Sequence, residues 1–522
     1  MTSTLTAAQE TADLFSFDEF IRYWAKDRPE RLAIEGDDFG LSFAELEDMT
    51  ARIVGGLTAM DLVKGDRIAW FGKNSATYFA LFYAAARVGI VMTTIGWRLA
   101  TPEAAWIIEN SDAKVLFLGD GFEACRDTLG QSAARCVTTA DVRDWMQNYS
   151  RAPFVAAGPD DAVLQLYTSG TTGNPKGVVL SNRNLFCMRN ASIANSQPHS
   201  ICDEDEAMLV CMPCAHIAGT GVGAFALSSG IPGVILAEFE AGRVFHAIES
   251  RGITRAVFVP AALQMLVNHP DCAKTDFSRL RYITYGASPI PLELLRECMR
   301  MFGAGFIQVY GMTETTGAIC ELPPEDHSPD GNERMRSAGK PVTGVEIEIR
   351  GEHGQVLGVR EIGEIFTRSS ANMLTYWKLP EATRATMSDD GWIATGDAGY
   401  LDEDGYLFIH DRMKDMIITG GENVYPAQVE SAIYGHPDIE EVAVIGVPDD
   451  KWGEAVKAIC VAKPGHTIDT DSVIAWTRER LARFKVPKSV DVIEVLPRNP
   501  SGKILRRQLR EPYWAGFDRQ VN

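Results

Sequence analysis

Residues 207–237 contain no Asp, Glu, Lys or Arg. A run of that length is long enough to cross a bilayer, so how it is read separates a membrane protein from a soluble one with a deep core. Pro213 and Pro232 interrupt it, and Gly219, Gly221, Gly223, Gly230 and Gly233 punctuate it. Such breaks divide one long helix into loop, short helix and strand, which is buried soluble core. The composition agrees. The chain has 522 residues, 46% hydrophobic and 23% charged, with a mean hydropathy of −0.07. At about 150 residues per domain that is room for roughly three domains. The N-terminus has no basic stretch ahead of an apolar one, so no secretory signal is expected.

Charge excludes one class of partner. The balance of 50 basic against 70 acidic residues gives −20, which rules out nucleic acid held by the overall field. Residues 412–522 are neutral, with 16 basic and 16 acidic side chains, so the first 411 carry the whole excess. From Arg478 to Arg510 ten basic residues face three acidic ones, a local +7 suited to a phosphate-rich ligand or to a solvated helix. The ten cysteines have no framework spacing. Cys211, Cys214 and His216 resemble half a metal site, but no second pair completes the four ligands zinc requires. Reduced thiols, and with them a cytoplasmic location, are the expectation.

Helices and short strands alternate through the first part of the chain. Ser42 to Glu45 form a capping box ahead of Leu46, Met49, Ile53 and Leu57, an amphipathic spacing. Arg67–Phe71, Val163–Tyr167, Val178–Leu180, Gly233–Ala237 and Arg255–Val259 read as strands, and Ser75–Val88 as a buried helix. The pattern predicts an α/β fold of layered sheets. After about residue 340 short strands at Val345–Ile349, Gly363–Thr367, Gly399–Leu401 and Tyr406–Ile409 predict a small β subdomain. Beyond Asp411 a mixed segment with its own apolar elements predicts a small α+β C-terminal domain.

The strongest local motif is Leu166-Tyr-Thr168-Ser169-Gly170-Thr171-Thr172-Gly173-Asn-Pro-Lys176-Gly177. Glycines let backbone N–H groups curl round an oxyanion, hydroxyls donate further bonds, and a lysine adds charge. It is not a Walker loop, because the lysine falls too late and strand-like residues flank both sides. The segment resembles the phosphate loop of the adenylate-forming superfamily, which includes AMP-forming acyl-CoA synthetases. Four further motifs follow in that family's order. They are Tyr310-Gly311-Met312-Thr313-Glu314, Thr395-Gly-Asp397, Asp411-Arg412-Met-Lys414 running into Gly420-Gly421, and Asn499-Pro-Ser-Gly-Lys503. The similarity runs from about residue 18 to 510.

The resemblance implies a division of labour. Residues 1–411 form an adenylation domain, 412–414 a hinge centred on Lys414, and 415–522 a mobile C-terminal domain. It implies ATP, Mg²⁺ and CoA. Lys503 contacts the reacting carboxylate and α-phosphate, Thr313 bonds that phosphate, and Glu314, helped by Thr168, holds the cation. The phosphate loop, Thr168 to Gly173 with Lys176, holds the outer phosphates. Gly286, Ala287, Ser288 and Tyr310 form the adenine side with Gly311 and Met312, while Asp397 and Arg412 meet the ribose. His216 stands beside the acyl carboxylate. Gly420, Gly421, Trp452, Phe484, Lys485 and Lys488 contact CoA. Amino-acid-activating relatives carry an aspartate near this histidine; none is present here, so an α-amino acid is not expected.

The acyl pocket would be formed by Ile217, Ala218, Gly219 and Thr220 with Val259 and Pro260, an apolar and unusually small set. Small walls read as space for a medium- or long-chain fatty acid, or for an aryl or polycyclic one. They also fit glycines spent on close packing with no cavity. Delivery to a carrier protein and a degenerate nucleotide-binding regulator are the other functional readings. The expected partners are a small carboxylic acid, ATP and CoA, with no nucleic acid and no membrane-spanning segment; a homodimer is compatible with this.

Overall fold

A computed structural model describes residues 7–168, 174–412, 415–420, 422–449, 451–498 and 504–515, without the side chains of Asp411, Arg412 and Asn423. The chain divides into two compact units. The first comprises residues 1–287, 296–346 and 367–393, and the second 288–295, 347–366 and 394–522.

Two sheets build the first unit. In the seven-stranded one, Arg67–Phe71, Val91–Ile95, Ala113–Leu118, Arg135–Thr138 and Ala162–Thr168 run parallel. Lys176–Ser181 returns antiparallel on Ala162–Thr168, and the two-residue strand Thr375–Tyr376 closes the edge antiparallel to it. The nine-stranded sheet has the parallel strands Gly233–Ile235, Met208–Val210, Arg255–Phe258, Tyr282–Gly286 and Gly305–Tyr310 at its centre. Parallel strands covered by helices read as near-continuous apolar runs rather than alternating ones, as in Arg67–Phe71, where every residue after Arg67 is buried.

The helices form where local chemistry starts them. Ser42 caps Phe43–Ala59 with the reciprocal bonds of a capping box to Glu45. Ser75 caps Ala76–Arg87, every residue of which is buried. The charge-free run becomes the strand Met208–Val210, the helix Ile217–Ser229 and the strand Gly233–Ile235, with Gly230 ending the helix in the left-handed region. Among the described residues no helix is long and apolar enough to cross a membrane. All ten cysteines are free thiols.

The second unit carries most of a four-stranded sheet ordered Glu346–Arg350, Gly363–Arg368, Ile393–Leu401, Leu407–Arg412, whose first and third strands begin, and whose second strand ends, one or two residues outside the unit's edges. Its other sheet pairs the long antiparallel strands Ile439–Asp449 and Gly453–Ala462, flanked by Ile417–Thr419, Glu422–Val424 and Ser489–Val492. Val429 and Ile433 of the helix Pro426–Tyr434 pack on this sheet's apolar core.

Candidate active site

Both strands that carry the phosphate loop are described, although residues 169–173 lie outside the described part. Thr168 ends one strand and Lys176 starts the next, and the two are register partners. The strands on either side of the loop therefore pair as a stem, with a hydroxyl at Thr168 and an ammonium at Lys176 on its last described pair.

A second turn converges on this stem. Gly305–Tyr310 runs parallel to Tyr282–Gly286, with Gly286 opposite Val309, so the adenine-side segments are neighbouring strand ends. Beyond Tyr310 the backbone tightens. Thr313–Thr315 form a 3₁₀ turn, Thr316 sits at φ 57°, and the Gly317 N–H donates to the Met312 carbonyl at 3.0 Å. The turn drives Glu314 inward to 6% exposure. Its Oε1 accepts from the Tyr376 hydroxyl at 2.8 Å and from Thr168 at 3.5 Å. Tyr376 was not legible as a site residue from sequence. Burial first, then the Glu314 charge and hydrogen bond, hold its phenol well above the usual range. The Lys176 ammonium lies 4.7 Å from the centre of the same ring. A cation at Glu314 would meet one buried carboxylate and neighbouring hydroxyls. That donor set fits magnesium, which keeps waters and substrate phosphates as its other ligands. Among the described residues no group of three or more His, Cys, Asp or Glu could hold a metal by itself.

His216 is the half-buried N-cap of Ile217–Ser229. Met312, of the Glu314 turn, packs with Ile217, Val222 and Phe225 against one apolar core. Ile217, Ala218, Gly221, Val222 and Phe225 are each half-buried, at helical spacings of three and four, so one apolar stripe of an otherwise buried helix stays partly open. Val259 is half-buried and Pro260 buried, at the start of Pro260–Val267.

Gly219 and Thr220 lie on the packed side instead. A Cβ at 219 would strike the Pro213 carbonyl and come within 2.6 Å of the Met212 carbonyl oxygen. Thr220 is fully buried, hydrogen-bonded to the Tyr78 hydroxyl at 2.6 Å and donating to the Cys214 carbonyl at 2.7 Å. The expectation that Gly219 borders open acyl space is corrected here: the missing side chain makes room for backbone. Two effects of opposite sign meet in Gly219→Ala. Helix propensity favours alanine by about 1 kcal/mol, and overpacking against atoms that cannot rotate away costs about 1–3 kcal/mol. Because those atoms are backbone, the clash is expected to win. Urea unfolding should show a lower midpoint for Gly219→Ala, and a raised midpoint would refute the packing argument.

The residues that the resemblance assigns to the ribose belong to the second unit. Asp397 is buried in Ile393–Leu401, opposite Arg412 in register. Within this strand Thr395 donates to the Ile365 carbonyl at 2.8 Å and accepts from the Asp397 N–H at 3.1 Å. Glu364, which sequence reasoning passed over, accepts from the Gly396 N–H at 3.2 Å. Its carboxyl is held above the usual range, chiefly by burial and then by the Asp397 charge. Ala287 follows its strand at φ 68°, and Ser288 is exposed at the start of the second unit.

On the proposed CoA side, Gly420 has φ 62° and its N–H donates to the Trp452 carbonyl at 2.8 Å. A side chain there would meet the Trp452 ring at 2.7 Å. Phe484 and Lys485 share a 3₁₀ turn, where Lys485 donates to Gln428 at 2.7 Å, and the Lys488 N–H donates to Val456 at 2.8 Å. The +7 stretch is partly compensated by residues outside it: Arg498 pairs with Glu441, Arg506 with Glu430 and Arg510 with Glu454. Among the described residues no ion pair reaches Arg478, Arg483, Lys485 or Lys488, so the unspent positive charge lies on these four. Lys414, Gly421 and Lys503 lie outside the described residues.

Comparison with known proteins covers nearly the whole chain. Residues 21–377 match the family model of the AMP-binding enzymes, and 428–503 match that of the AMP-binding enzyme C-terminal domain. A fatty acid–acyl-carrier-protein ligase of Streptomyces coeruleorubidus is 38% identical over 96% of this chain and 97% of its own. A long-chain fatty-acid–CoA ligase of Mycobacterium tuberculosis is 36% identical over 92% of this chain and 94% of its own. The solved o-succinylbenzoate CoA synthetase of Bacillus subtilis, in complex with its acyl-adenylate, superposes with a TM-score of 0.84 at 32% identity, covering 94% of this chain and 97% of that one.

Proposed function

Since the chain belongs to the AMP-binding enzyme family of adenylate-forming enzymes, we propose that it joins a hydrophobic carboxylic acid to the thiol of CoA through an acyl-adenylate, in the cytoplasm. In the first step a carboxylate oxygen attacks the α-phosphorus of ATP and pyrophosphate leaves. In the second the CoA sulfur attacks the acyl carbonyl, AMP leaves and the thiol proton passes to solvent. The observation that carries the reading is the convergence of Glu314, Thr168 and Lys176 at the stem of the phosphate loop. Mg²⁺ bound beside Glu314 would neutralise phosphate charge; the chain's own part is to fix that carboxylate and to offer Lys176 to the outer phosphates. Asp397 takes the ribose hydroxyls, and Lys503 screens the reacting anions.

The acid is read as a medium- or long-chain fatty acid. Support comes from the half-buried stripe of Ile217, Ala218, Gly221, Val222 and Phe225, because each methylene buried there adds about 0.8 kcal/mol. A flat aryl acid is the competing substrate. The similarity to a carrier-protein ligase favours a second acceptor, a carrier's pantetheine arm. For CoA, the support is the positive charge of Arg478, Arg483, Lys485 and Lys488, left without ion pairs among the described residues, as the surface for an anionic, pantetheine-bearing ligand.

One screen tests all of this: acid-dependent pyrophosphate exchange, then AMP release with CoA or a carrier protein, over acids graded in length and shape. Octanoate or a longer acid is expected to exceed acetate at least tenfold in kcat/KM. Absence of exchange with every acid would leave a nucleotide-binding regulator, and acetate as the best substrate would overturn the hydrophobic assignment.

A further inference from the structure

Glu314 is buried, yet among the described residues no cation pairs with it. A carboxylate taken out of water needs hydrogen bonds or an opposite charge. Both hydrogen bonds it has, from Tyr376 and Thr168, fall on Oε1, and among the described residues no bond reaches Oε2. The stronger of the two comes from a side chain that is 4% exposed and set in a strand of two residues. That strand is tied on both sides. The Met373 N–H donates to the backbone carbonyl of Glu314 at 2.8 Å, and the Trp377 N–H to that of Gly177 at 2.7 Å. The Thr316 hydroxyl donates to the Ala371 carbonyl at 2.6 Å. A segment of seven residues therefore straps the Glu314 turn to the strand that begins at Lys176, and Tyr376 touches both functional side chains, one with its hydroxyl and the other with its ring.

We propose that Tyr376 is a positioning residue for the nucleotide–cation complex. Its hydroxyl holds Oε1 of Glu314, which leaves Oε2 for a divalent cation. Its ring face keeps the Lys176 ammonium at the foot of the phosphate loop until phosphate oxygens draw it away, since cation–π attraction is weaker than a charge-assisted bond to phosphate. Phenylalanine would fill the same space, so the hydroxyl is the informative atom. The inference rests on the reading of Glu314 and Lys176 as the phosphate-side pair.

The test is calorimetric binding of ATP to the full chain, with and without Mg²⁺, which reads no turnover. In the unmodified protein Mg²⁺ is expected to tighten ATP binding. In Y376F that gain should shrink about tenfold, the size of one hydrogen bond to a charged group, while binding of ATP without Mg²⁺ stays the same. Removing one partner of a buried bond can unfold a protein, so the comparison is repeated in E314Q, where the charge is gone from both. The hydroxyl should there add nothing to the Mg²⁺ gain. An undiminished Mg²⁺ gain in Y376F, or a Mg²⁺-dependent loss on passing from E314Q to the E314Q/Y376F double variant, overturns the proposal for Tyr376 alone. ATP binding that ignores Mg²⁺ in the unmodified protein overturns the assignment of Glu314, and this inference with it.

Discussion

Glu314→Gln is expected to lower acid-dependent pyrophosphate exchange by about 10²–10³, with little change in thermal stability. Glutamine has the same shape and keeps an oxygen to accept from Tyr376 and Thr168, so the buried contacts of the turn persist. What is lost is the negative charge that, on the proposed reading, recruits a cation to the phosphates. Removing one electrostatic contributor to a transition state typically costs about 10²–10³ in rate. The structural alternative is that Glu314 is kept only to anchor the strap carrying Tyr376. On that account the isosteric amide would exchange nearly as fast as the parent. The two accounts thus differ by two orders of magnitude in one exchange assay, with a melting curve as control. A parent-like rate would remove Glu314 from the site.

Local chemistry was legible where a few adjacent residues decide the outcome. Ser42 with Glu45, Ser75 ahead of Ala76–Arg87, and the prolines and glycines within 207–237 each set an element, and each element forms as expected. Nearest-neighbour patterns failed where the deciding partner is distant. Tyr376 meets Glu314 across 62 positions. Glu364 lay in a strand that was recognised, but its proximity to Asp397 depends on how two strands align. The strand expected at Gly399–Leu401 begins six residues earlier, at Ile393, and takes in Thr395-Gly-Asp397, whose Thr395 and Asp397 are both buried.

Gly219 shows a different failure. Composition cannot tell a small residue that faces a cavity from one that faces backbone, and only the packing of Pro213 across the helix start separates them. Charge counting failed for a similar reason. Glu430, Glu441 and Glu454 lie outside the 478–510 window, and they absorb three of its arginines. The tally of +7 overstated the charge on offer, while the pairing among the described residues narrowed it to Arg478, Arg483, Lys485 and Lys488.

Lys503→Ala is expected to reduce adenylation by about 10²–10³ while largely sparing thioester formation from supplied acyl-AMP. Residues 499–503 lie outside the described part, but their stem does not. Arg498 and Ile504 form an antiparallel bridge, and the Leu505 N–H donates to the Pro497 carbonyl at 2.8 Å. The resemblance assigns Lys503 to the first half-reaction, and the charges explain why one step should need it more. Adenylation brings a carboxylate against an α-phosphate, both anionic. At 4 Å two like charges repel by about 4 kcal/mol where the effective dielectric constant is about 20, close to a thousandfold in rate if nothing screens them. In the second half-reaction the acyl carbon is already part of a mixed anhydride and carries no charge, so the incoming sulfur meets no comparable barrier. A cation placed between the first pair is therefore worth most in the first step. Pre-steady-state rates for the two half-reactions, measured on the same preparation, separate the roles. Equal losses in both would mean that Lys503 serves a single shared arrangement, and the division of labour between the two steps would have to be abandoned.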